Sequence, residues 1–200
     1  MARLAPLPVE TLSPEHRELL DQLTALLGFE CNDWLTLARL PGVMAAAMML
    51  CNSTLEAAAE AGEELRWLVC YATSHGFGCD YCIAHTAFAA ERFGIPEPKL
   101  SSLKDFESSQ VYSDAERAAL RVAIAMGRSP SAVSDADFGA LQEHFNETQV
   151  VAIVSLAAMM GFFNRWNDTM ATELERAPSA AAQRLLAGGG WTPGKHGGQA

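Results

Sequence analysis

One apolar run, Val150 to Phe163 (VVAIVSLAAMMGFF), constrains the fold of this 200-residue chain more than any other feature. Asn146 and Gln149, just ahead of it, have the spacing of a helix cap. The run has 14 residues, fewer than the roughly 20 a helix needs to cross a bilayer. It therefore predicts a helix buried in a core or between subunits, continuing to about Glu175. No stretch alternates strictly between polar and apolar residues, so essentially no sheet is expected. The 34 alanines favour closely packed helices. The expected fold class is all-α, a bundle of about seven to nine helices.

Local signals divide the chain. Ser13-Pro14-Glu15 opens a helix to about Leu27, with proline at the first helical position. Asn32-Asp33 begins a short second helix, and Pro41 to about Glu60 forms a third. Glu63 to His75 is a fourth, ended by Gly76-Phe77-Gly78, and Cys79 to Phe93 a fifth, closed by Gly94 and Pro96. The polar segment 96–112 separates a first half of about 1–100 from a second of about 113–176. In that second half, Ser113 with Glu116 caps a helix to about Met126, and Ser134 starts another to about Phe145. Residues 1–186 read as a single domain, and the glycine-rich 187–200 as a mobile tail.

The formal net charge of −10 disfavours nucleic acid and anionic membrane as partners. Five cysteines without a framework spacing suit a reducing compartment, so a cytoplasmic protein is expected. No glycine-rich phosphate loop, dinucleotide fingerprint or GxSxG elbow is present, and neither cofactor nor resident metal is called for. The apolar stretches 41–55 and 150–163 exceed what one small bundle buries, which points to a homo-oligomer.

The chemistry lies in Ser74-His75-Gly76-Phe77-Gly78-Cys79-Asp80-Tyr81-Cys82-Ile83-Ala84-His85-Thr86. On a helix, Cys79, Cys82 and His85 form one seam. At a helix start, free amide hydrogens and the positive dipole end favour a thiolate at Cys79. Cys82 is placed to close a disulfide with it, and His85 to exchange a proton with Cys82.

This segment, with Ala89, Ala90 and Gly94 beyond it, resembles the alkylhydroperoxidase D-like branch of the carboxymuconolactone decarboxylase superfamily. The resemblance covers residues 61–100 and, more weakly, 113–175. It implies an all-helical oligomer, commonly a trimer or hexamer. It also implies a redox pair at Cys79 and Cys82 that reduces peroxides or exchanges electrons with another dithiol. The family usually assigns the first proton abstraction to the second cysteine, here Cys82. Its histidine commonly falls four residues after that cysteine, at Thr86 here, and His85 stands one earlier. Its glutamate falls about twelve residues before the first cysteine, on Trp67. Glu64, or its neighbour Glu63, one turn upstream, is the expected replacement. The implied catalytic set is thus Cys79, Cys82, His85 and Glu64, with an external dithiol as reductant.

Plainer readings stand beside these. HxxxCxxCxxH, from His75 to His85, is rich in zinc ligands, but a straight helix holds its ends ~15 Å apart and no second cluster completes a set. His16, His144 and His196 have no sequence companions and read as surface residues. Asn164, Arg165, Asn167 and Asp168 read as solvating the end of the apolar run or pairing across a subunit interface. Cofactor-free lactone decarboxylation, or a non-enzymatic oligomer with redox-sensing thiols, are the competing functions.

Overall fold

The computed structural model describes residues 2–198, and among them it has ten α-helices and no strand. These are α1 (Pro14–Leu27), α2 (Asn32–Leu37), α3 (Pro41–Ala59), α4 (Glu63–Phe77) and α5 (Asp80–Arg92). The second half adds α6 (Glu97–Ser101), α7 (Asp114–Met126), α8 (Asp135–His144), α9 (Glu147–Met170) and α10 (Arg176–Leu185). The start signals act as anticipated. Ser13 accepts from the His16 amide, and reciprocal capping boxes form at Ser113/Glu116, Ser134/Asp137 and Asn146/Gln149.

Helix α4 is the hub, packed against α3, α5, α7 and α9. Its Leu68, Val69, Tyr71 and Ala72 are completely buried, and a leucine so placed contributes about 1.5–3 kcal/mol relative to exposure. The glycine pair in this helix divides its work. Gly78 takes the left-handed conformation (φ 71°) that ends α4. Gly76 lies inside the helix instead, where a Cβ would sit 2.4 Å from the Ile124 carbonyl oxygen. Bare backbone at Gly76 and Gly127 thus lets α4 and α7 come into direct contact.

Three expectations need correction. Helix α9 ends at Met170, short of Glu175, because Ala171 adopts a left-handed conformation (φ 49°) and its amide bonds back to Asn167. That break frees residues 176–185 to form α10, which buries Pro178, Ala181, Ala182 and Leu185 and packs on α5. With α6, α10 takes the helix count to ten, above the expected seven to nine. The third correction concerns the tail. Residues 187–198 contain two 3-10 turns, Ala187–Gly189 and Gly194–His196, and they lie against the bundle. The Leu174 amide donates to the His196 carbonyl at 2.8 Å, Lys104 Nζ donates to the Gly189 carbonyl at 2.7 Å, and Lys195 pairs with Asp168 at 2.7 Å. These anchors offset the entropy that the glycines would otherwise keep.

The apolar run is part of a helix longer than its own 14 residues. By length and composition, α3 and α9 could each span a bilayer. Position in the bundle separates them: α9 buries Ile153, Leu156, Ala157 and Met159, whereas α3 leaves Val43, Met49 and Leu50 exposed. Half of the most apolar window of α9 is enclosed by other helices.

Candidate active site

Cys79 is the N-cap residue of α5, in extended conformation (φ −92°, ψ 105°), directly after the left-handed Gly78. Cys82 lies in the first turn of that helix, and both thiols are buried and free. Their environments drive the two acidities apart. The pKa of Cys79 is lowered to about 5, chiefly through the adjoining Cys82 side chain, with help from the His196 ring and the Cys82 amide and against the effect of burial. Cys82 is pushed well above its ordinary value by burial and then by the neighbouring Cys79. One thiol is an anion at neutral pH, and the other holds its proton.

Cys82 faces a cavity of about 170 Å³ between α1, α3, α5 and α9. Trp34, Met48, Leu55, Phe88 and Phe163 are among its apolar walls, and polar atoms come from Asp33, Tyr81, His85 and Asn167. Asn167 Nδ2 lies 3.7 Å from Cys82 Sγ and 3.2 Å from Asp33 Oδ2. Asp33 is itself buried, which raises its pKa.

On the next turn of α5, His85 Nε2 lies 2.6 Å from Glu175 Oε2. Tyr81 donates its hydroxyl to Glu175 Oε1 at 2.9 Å, and the Asn32 amide donates to the same oxygen at 2.6 Å. Burial alone would lower the His85 pKa, yet it is raised because the Glu175 carboxylate favours the imidazolium. The same pairing and the Asn32 amide keep the Glu175 pKa low despite its burial. The Tyr81 ring stacks on His85 with centroids 4.2 Å apart.

The structure therefore brings together Cys79, Cys82 and His85 but not Glu64. The Glu64 side chain is 53% exposed and bonds Lys99 at 3.0 Å. Glu64 lies in the first turn of α4, which runs regularly from Glu63 to Phe77, so it stays at the far end of the helix from Cys79. Glu175, from the loop between α9 and α10, takes the carboxylate position beside the histidine. Thr86 spends its hydroxyl on the Cys82 carbonyl, and Trp67 stacks on Phe93.

Two further readings change. Asn164 and Asn167 are 1% exposed, so they lie in the core and do not solvate a helix end. His196 is equally buried, with Nδ1 2.8 Å from the Thr172 carbonyl and Nε2 turned toward Asp168 at 3.9 Å. His75 packs edge-on against Tyr71 and lines a different cavity with Lys104 and Trp191. The zinc set from His75 to His85 is therefore not assembled.

The bundle that carries this arrangement resembles solved structures. A peroxidase-related protein from Ralstonia eutropha JMP134, described as an alkylhydroperoxidase AhpD core, superposes with a TM-score of 0.78 at 21% identity, covering 88% of this chain and 94% of that one. The chain has the AhpD-like fold. A peroxidase-related protein from Silicibacter sp. TM1040 agrees, with a TM-score of 0.74 at 19% identity over 85% of this chain and 90% of its own. Their AhpD and peroxidase-related names agree with the branch that the segment around Cys79 resembles.

Another structural neighbour carries a different chemical name. The debrominase Bmp8 superposes with a TM-score of 0.82 at 29% identity, covering 90% of this chain and 96% of its own. One of its structures is a cysteine-to-alanine variant in complex with 2,3,4-tribromopyrrole. Among curated sequences, the uncharacterized protein YnjA of Escherichia coli (strain K12) is 35% identical over 104 residues. That match spans 50% of this chain and 57% of YnjA. No family model matches the chain.

Faint signals for the missed residues were present in the sequence. Asn164 and Asn167 interrupt the apolar face of a core helix, where an amide needs a buried partner. Glu175 and His196 gave no such signal, because their roles depend on where α10 and the tail fold back.

Proposed function

We propose that the chain is a dithiol oxidoreductase in which Cys79 and Cys82 pass two electrons to a small apolar peroxide. The observation that carries this reading is the contrast between the two thiols: a protonated Cys82 faces the apolar cavity, with the low-pKa Cys79 beside it. As substrate enters, Cys82 attacks a peroxide oxygen while its proton passes to the adjoining Cys79 thiolate, so that an S–O bond forms and the O–O bond breaks, giving a sulfenic acid. The leaving alkoxide takes a proton from the His85 imidazolium, which Glu175 holds in its charged form. Cys79 next attacks the sulfenic sulfur, and the departing hydroxide takes the Cys79 proton to become water. Peroxide and two thiols have become alcohol, water and a disulfide. An external dithiol restores the pair by exchange.

The debrominase likeness and the aromatic walls Trp34, Phe88 and Phe163 favour a second reading of the same site. In that reading the dithiol removes halogen from a pyrrole-sized aromatic: carbon–bromine and two thiols become carbon–hydrogen, bromide, a proton and a disulfide. Lactone decarboxylation finds no support in this cavity, whose lining has no lysine or arginine for a substrate carboxylate. Five cysteines without a framework spacing favour a reducing cytoplasm. The exposed Val43, Met49 and Leu50 of α3 supply an apolar face for a homo-oligomer, trimer or hexamer.

The test is turnover of an organic hydroperoxide and of 2,3,4-tribromopyrrole by the wild-type chain, Cys79→Ser and Cys82→Ser, with the disulfide followed by mass. Peroxide loss that needs both cysteines supports the first reading. Bromide release without peroxide loss selects the second. Unchanged turnover in both serine variants sinks both readings, and no turnover in the wild type leaves the non-enzymatic thiol sensor.

A further inference from the structure

We propose that Cys79, Asp168 and His196 form a zinc site, available while the dithiol is reduced and lost when it is oxidised. Cys79 Sγ, a carboxylate oxygen of Asp168 and a ring nitrogen of His196 lie within 4.8 Å of one another. Thiolate, imidazole and carboxylate are the donors that zinc prefers, at bond lengths of ~2.0–2.3 Å. Closing around an ion asks each group to move by only about 1 Å, because tetrahedral zinc ligands stand roughly 3.3–3.8 Å apart.

His196 gives the independent sign of a ligand. Its ring is 1% exposed, and Nε2 is buried with no hydrogen-bond partner. Nδ1 lies 2.8 Å from the Thr172 carbonyl, which can only accept, so Nδ1 carries the proton. An incoming ion replaces the second ring proton, and the Nε2 lone pair then faces the space shared with Cys79 and Asp168. A metal-binding histidine characteristically donates its second nitrogen to a carbonyl or carboxylate in this way. Asp168 completes the set from the solvent side, with a side chain 43% exposed that gives an ion a way in and leaves a fourth position for water. Its present partner, Lys195 at 2.7 Å, is 45% exposed, and such a surface ion pair yields readily.

The site excludes dithiol chemistry while it is filled. Zinc takes Cys79 as the thiolate, with no change in oxidation state, so this sulfur is withheld from Cys82. Conversely, a Cys79–Cys82 disulfide has no thiolate to offer, and its formation releases the ion. Zinc would then mark the reduced, resting chain, whichever electrophile the dithiol serves.

The experiment uses the full chain, metal-free and reduced with a phosphine. Zinc is titrated against a chromophoric chelator, and cobalt(II) is used as a spectroscopic probe. One ion per chain is expected, with a thiolate-to-cobalt charge-transfer band. Cys79→Ser and His196→Gln should each weaken binding at least tenfold, whereas Cys82→Ser should bind as the wild type does. The disulfide form, verified by mass, should not bind. Because His196→Gln also loosens the tail, Cys79→Ser carries the decision. Undiminished affinity in Cys79→Ser overturns the proposal. So does a loss in Cys82→Ser with His196→Gln unaffected, which would assign the ion to the dithiol alone. Neither readout needs peroxide or bromopyrrole turnover, so failure here is distinct from failure of the proposed function.

Discussion

The Thr172 hydroxyl donates to Asn167 Oδ1 at 2.7 Å, and this one bond fixes which way the buried Asn167 amide faces. With its oxygen so occupied, Asn167 must present Nδ2 to Asp33 and to Cys82 Sγ. The carbonyl of the same threonine holds His196 beside Cys79. Thr172 therefore positions a partner for each sulfur, one through its side chain and one through its backbone.

Asn167→Leu should lose these bonds and leave Asp33 and Thr172 short of partners in the core. A stability loss of about 1–3 kcal/mol is expected from denaturant unfolding. Slower alkylation of Cys82 should accompany it, since the donor that lowers its pKa is gone.

Cys79 should alkylate with a midpoint near pH 5, well below the ~8.5 of a free thiol. In His196→Gln the midpoint should move upward, because the ring favours the thiolate. The depressed pKa also stabilises the fold: this contribution is complete above the unfolded thiol value and disappears as pH falls through about 5. Alkylation rates read by mass across pH test the assignment, and an unshifted thiol removes it.

The Glu175–His85 pair should give a stability plateau bounded on both sides. The raised His85 pKa supplies stability that is complete below the ordinary histidine value and lost as pH climbs through the folded one. The lowered Glu175 pKa supplies stability present above the ordinary glutamate range and lost as pH drops through its folded value. Glu175→Gln should flatten both limbs and cost about 1–3 kcal/mol on the plateau. Urea midpoints measured from about pH 3 to about pH 9 span both ordinary values and settle the matter.

Gly76→Ala should be among the most damaging single-methyl changes in the chain. The new Cβ would meet backbone, 2.4 Å from the Ile124 oxygen, where no flexible side chain can give way. A loss of at least about 1–3 kcal/mol is expected from such overpacking. A stability equal to the wild type would show that α4 and α7 can separate freely.

Glu64→Gln should leave turnover unchanged. Its carboxylate is half exposed, and its partner Lys99 keeps a second bond to Glu116 at 2.6 Å. Exposed pairs of this kind are worth ~0–1 kcal/mol. A large drop in turnover would restore it to the site.

Sequence alone determined what depends on neighbours along the chain. The caps at Ser13, Ser113, Ser134 and Asn146 fixed where helices begin, because an orphan amide is satisfied within three residues. The Cys79–Cys82–His85 seam was legible for the same reason, as helical spacing aligns residues three apart. The tertiary structure decided the carboxylate and the second imidazole. Glu175 lies 90 residues from His85, and His196 reaches Cys79 only because Ala171 breaks α9 and the glycine-rich end is tied to Thr172 and Leu174. Contacts across such separations are selected by packing and hydrogen bonding of the whole bundle, and no local spacing encodes them.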